Sequence, residues 1–142
     1  MPTNAYQIIV MGGQDARLAM LKAAVAARAS DLGIEPSEIV YLEEATFAGR
    51  YDRKKPAFGI YFGNQNKTVP GQLSQLEQDS IVMAPIVTST SQVAEEIPKE
   101  LGHINVVEIG LNGDNIQRLT SLIFESFRLL RKERGVFISY RR

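Results

Sequence analysis

An open sheet of parallel β-strands covered by helices, the α/β class, is what this sequence predicts, and three observations predict it. Short runs dense in β-branched and apolar residues recur at YQIIVM (6–11), IVYL (39–42), AFGIYF (57–62), IVMAPIV (81–87) and VVEI (106–109). Segments with helical spacing or turn chemistry separate these runs, so strand and helix alternate. The fourth run is apolar on both faces, as an interior parallel strand requires.

The first run, bounded by Gly12-Gly13, is expected to be the central strand. Asp15 can cap the helix that follows, and Leu18, Leu21, Val25 and Leu32 recur on one face of it. Gly33 supplies a left-handed stop, with Ile34 packing back on the last turn. Pro36-Ser37 then turns the chain into the second strand, closed by Glu43-Glu44. Strand, helix and strand at this spacing make a right-handed βαβ unit. ATFAGRYDRKK (45–55) has no clean period and reads as a loop or a helix of one to two turns. After the third strand and Gly63-Asn64, Leu73 and Leu76 mark a short crossover helix. Asp114 opens the last helix in a capping-box arrangement with Gln117. Ile116, Leu119, Ile123, Phe127 and Leu130 form its buried stripe; Arg128, Arg131, Lys132 and Arg134 load its end, and Gly135 stops it. The simplest assembly is an open five-stranded parallel sheet in the flavodoxin-like order 2-1-3-4-5, without internal repeats.

Composition narrows the chemistry. The 142 residues suit one domain that buries about two-thirds of its unfolded surface. No cysteine is present, which removes disulfides, thiolate metal sites and cysteine nucleophiles, and fits a cytoplasmic location. No apolar run approaches the roughly 18 residues of a membrane span, and MPTNAYQ lacks the layout of a signal peptide, so no membrane partner is expected. Basic and acidic residues number 16 each, so no overall field favours nucleic acid. The C-terminal end is nevertheless basic: residues 118, 128, 131, 132, 134, 141 and 142 stand against Glu125 and Glu133.

Ligands of open α/β sheets bind beyond the carboxyl ends of the strands. The loop GGQDAR after the first strand has neither a dinucleotide glycine fingerprint nor the Lys-Ser/Thr of a P-loop. Phosphoacceptor receivers need an acidic pair, an aspartate and a lysine where this chain has Gly12-Gly13, Asn64 and Gly110-Leu111. Glu43-Glu44 are better read as exposed carboxylates closing a strand than as a ribose grip. Arg50, Arg53, Lys54 and Lys55 fit either an anion grip for a nucleotide-like ligand or a solvated charged loop, and such runs more often face water. His103 is the only histidine and no Gly-x-Ser-x-Gly elbow exists, so His103 reads as a turn residue entering the fifth strand, with Asn105 binding backbone. Ser89, Ser91, Glu95 and Glu96 are the other candidates. A carboxylate there could stabilise an oxocarbenium-like centre, or Glu95 and Glu96 could serve only the first turn of a helix that Pro98 disturbs.

The closing run Gly135-Val-Phe-Ile-Ser-Tyr-Arg-Arg142 resembles the opening strand of a bacterial Toll/interleukin-1 receptor (TIR) domain. The resemblance implies a module over 1–135 and the start of a following TIR domain over 136–142. Ile81 to Ile109, with Ile97-Pro-Lys-Glu-Leu101 and His103-Ile-Asn105, is similar to modules that precede such domains. The module itself resembles a TIR domain: Ser89-Thr-Ser91-Gln92-Val-Ala-Glu95 keeps the serine-to-glutamate spacing of the catalytic Ser-x-Trp-Cys-x-x-Glu stretch. Ser91 and Gln92 replace its Trp and Cys, so the aromatic wall for nicotinamide is missing. What the resemblance implies is therefore a cofactor-free sensing or assembly module for a TIR effector in bacterial signalling or antiphage defence. Its partners would be a second copy of itself or another protein. The alternative is an NAD glycohydrolase using Glu95.

Overall fold

The computed structural model of the protein describes residues 6–12, 16–63, 71, 73–88, 97, 106–110 and 113–127. Five strands form one parallel sheet: β1 (Tyr6–Gly12), β2 (Ile39–Leu42), β3 (Ala57–Phe62), β4 (Val82–Val87) and β5 (Val107–Glu108), in the order β2-β1-β3-β4-β5. The order and the parallel sense are those expected. The middle position belongs to β3, however, and β1 lies one strand in from the β2 edge. All six residues of β3 are buried, as an interior strand covered on both faces requires.

Successive side chains of a strand point to opposite faces, and that alternation splits the core in two. Ile8 and Val10 of β1 pack with Phe58, Ile60 and Phe62 of β3 beneath α1 (Ala16–Asp31) and α4 (Ile116–Ser126). Ile9 and Met11 face the other way, with Tyr61, beneath α2 (Glu44–Arg50) and α3 (Leu73–Gln78). The result is three layers, with helices on both faces of the sheet.

Local chemistry explains the helix ends. Gly33 has φ of 78° and closes α1 in a Schellman motif: the Ile34 N–H donates to the Ala29 carbonyl at 2.8 Å, and the Gly33 N–H to Ser30 at 3.1 Å. Ile34 packs against the core beside that turn. The ambiguous segment after β2 is the two-turn helix α2, begun at Glu43, whose N–H donates to Thr46 Oγ1 at 3.1 Å.

Two expectations need correction. Asp114 is not the cap of α4: the N-cap residue is Asn115, left-handed at φ of 73°, and it makes no side-chain cap bond. Its Nδ2 donates instead to the Glu108 carbonyl at 2.9 Å, so the side chain ties the turn to β5. The fourth strand starts at Val82, which is 55 % exposed, and its burial is complete only from Ala84. The cause is β5, two residues long, which pairs only with Ile86 and Val87 and leaves the first half of β4 uncovered on that side among the described residues. Pro85, which has no N–H to give a ladder, stands just before that pairing begins. Asp15, Leu130 and the basic end expected for the last helix lie outside the described residues.

Candidate functional site

In this strand order the topological switch point falls between the carboxyl ends of β1 and β3, where sheets of this kind hold ligands. Gly12 pairs there with Phe62, and a Cβ on Gly12 would collide with the Phe62 carbonyl oxygen. Arg17, in the first turn of α1, reaches across the gap. Its guanidinium carbon lies 5.5 Å from the Phe62 ring centroid, and Nη1 donates to the Ile109 carbonyl at 2.9 Å. Arg17 is only 2 % exposed and Phe62 fully buried. A buried guanidinium must be partnered, and here an aromatic face and a carbonyl beyond β5 both serve it. Among the described residues, the side chains beside the switch point thus pack on one another. Nothing in the sequence had distinguished Arg17 from a solvent-facing helix residue.

The basic cluster lies at the opposite end of the sheet. Arg50 ends α2, while Arg53, Lys54 and Lys55 occupy the connection to the amino end of β3. That connection is fixed by Gln7 of β1, 1 % exposed. Gln7 Nε2 donates to the carbonyls of Asp52 at 2.7 Å and Lys55 at 3.3 Å, and Gln7 Oε1 accepts from the Asp52 N–H at 2.8 Å. Asp52 Oδ1 accepts from the Lys54 N–H at 2.9 Å, an Asx turn within the loop. Beside it, Tyr51 Oη donates to Asp79 Oδ2 at 2.6 Å, and Gln75 Nε2 donates to the same oxygen at 3.0 Å. These bonds hold the Asp79 carboxyl below its ordinary pKa, Tyr51 contributing most. Burial, followed by Asp79, pushes the Tyr51 hydroxyl up. The cations therefore stand on a well-ordered loop, with Arg53 and Lys54 exposed.

A small cavity of about 40 Å³ lies between α1 and β2, lined by Lys22, Val25, Ala26, Ile39 and Tyr41. Lys22 Nζ is 5.0 Å from the Tyr41 ring centroid. The Tyr41 hydroxyl is buried with no hydrogen-bond partner among the described residues, and burial raises its pKa. The space suits a water molecule rather than a cofactor.

Ser89, Ser91 and Glu95 lie outside the described residues, as do Glu96, His103 and Asn105. Ile97, in the same connection, is 3 % exposed in the core on the α2–α3 face. Among the described residues, no group of three or more His, Asp or Glu side chains could hold a metal ion, and no helix is long and apolar enough to cross a membrane. No protein-family model, curated protein or solved structure matches the chain.

Proposed function

We propose that this chain is a non-catalytic sensing or assembly module for a TIR-type effector, acting in the cytoplasm in bacterial signalling or antiphage defence. The observation that supports it best is the switch point, where the described residues Gly12, Arg17 and Phe62 make contacts within the chain beside the place an α/β enzyme of this topology keeps for its ligand. A complete sheet whose described switch-point residues pack on one another suits a domain that works through its surface. The effector class comes from the resemblance of residues 135–142 to a TIR opening strand.

Incubation of the purified chain with NAD, at high protein concentration to permit assembly, tests the proposal. Nicotinamide release at background is the expected result. Release abolished by Glu95→Ala and not by Glu96→Ala would replace the module with a TIR-type NAD glycohydrolase. Light scattering across a concentration series tests the assembly half, and a strict monomer throughout counts against it.

A further inference from the structure

We infer that the amino edge of the sheet is a self-association surface, on which an acidic corner of one copy meets a basic corner of a second. The acidic corner is the connection from α1 to β2: Asp31 and Glu35 are exposed and Glu38 is half-buried. The basic corner is the connection from α2 to β3, with Arg53 and Lys54 exposed and Lys55 half-buried. Both connections enter their strands at the amino end, so both lie on the same edge. β1 stands between β2 and β3 and separates the corners by two strand spacings, about 10 Å. That distance is comparable with the screening length of about 8 Å at physiological salt.

Two features of this edge are not asked for by the fold. Asp31 closes α1, where the negative end of the helix dipole disfavours a carboxylate. The basic loop is also held by three hydrogen bonds with a buried amide, Gln7, two donated and one accepted by it, which a loop serving only as solvated chain does not need. A loop backbone already held in place loses little further freedom on binding. A two-fold axis midway between the corners sets each acidic corner against the other copy's basic one, and the contact is therefore isologous and doubly complementary. Charge contacts of this kind govern register and salt dependence more than raw affinity, so the dimer is weak and salt-sensitive.

This surface deepens the assembly half of the proposed function and rests on it, and charge reversal separates the two. Asp31→Lys with Glu35→Lys gives a chain with two basic corners; Arg53→Glu with Lys54→Glu gives one with two acidic corners. Sedimentation equilibrium of the full chain at low salt is expected to show each variant self-associating roughly tenfold more weakly than the wild type. An equimolar mixture should recover wild-type association, because both contacts of the mixed dimer are complementary. Association of the wild type should fall with added salt, a readout independent of how the variants fold. Undiminished association of both variants, a mixture that does not recover, or a salt-insensitive wild type overturns the surface and leaves assembly standing. A wild type that is monomeric at every concentration overturns both.

Discussion

Asp79 carries a pH signature set by its hydrogen bonds. Its carboxylate accepts hydrogen bonds from Tyr51 and Gln75, with Arg53 nearby, and its folded-state pKa lies below the ordinary 3.8. A depressed carboxylate pKa means that the unfolded chain binds the proton more readily. The stabilisation is therefore whole above the unfolded pKa and is lost as pH falls through the folded one. Tyr51→Phe deletes the first and largest of these contacts. Urea unfolding should place the variant's midpoint below the wild type at neutral pH, with the gap closing as pH drops through the carboxylate range. A gap that stays constant into acid would assign the loss to packing of the Tyr51 ring, which stacks on Phe47 at 4.6 Å. Tyr51 itself works in the opposite sense. Its raised pKa contributes stability that is whole below the ordinary 10 and declines only as the pH rises through the folded-state value.

Among the elements, two glycines with nearly the same backbone conformation should respond differently to a methyl group. Gly33 has φ of 78° with nothing within 4 Å of an added Cβ, so Gly33→Ala meets only the left-handed penalty at the end of α1, about 1 kcal/mol. Gly12 has φ of 81° and its Cβ would strike the Phe62 backbone, which cannot yield without opening the β1–β3 ladder. Gly12→Ala should cost about 3 kcal/mol or more by denaturant unfolding. Equal costs would show that the switch point is looser than its geometry. Gly33 was legible in the sequence because it follows an amphipathic run. The strands were legible too, since a buried parallel strand is written as an apolar run bounded by breakers. The α4 cap was not, because Asn115 and Gly113 both adopt positive φ and carry the turn past Asp114. Gln7 and Arg17 were missed for another reason. A polar residue reads as exposed unless its partners are visible, and theirs lie 45 and 92 residues away. The candidate site was accordingly less legible than the fold: the basic cluster was found as a composition, while the amide that orders it and the guanidinium that packs beside the switch point were not.

Over the whole molecule, the distribution of neighbours implies an uneven stability. β1 and β3 are paired along most of their length on both sides and carry fully buried side chains on both faces. β5 is two residues long at one edge, and α3 is six residues long and contributes two buried leucines, Leu73 and Leu76. Short elements with few buried contacts open locally at a free energy below that of global unfolding. Native-state amide exchange should therefore rank Ile9, Val10, Gly59 and Ile60 among the slowest amides, exchanging only with global unfolding. Ile109, whose N–H donates to the Val87 carbonyl at 2.9 Å, should exchange by a sub-global opening that denaturant barely promotes. Arg17 complicates this gradient, because its bond to the Ile109 carbonyl ties the β5 edge back to the first turn of α1. Arg17→Met keeps much of the apolar stem and removes that tie. The variant should lower the protection of Ile109 by more than it lowers that of Ile60, whereas equal losses at both amides would mean that β5 opens only with the whole sheet.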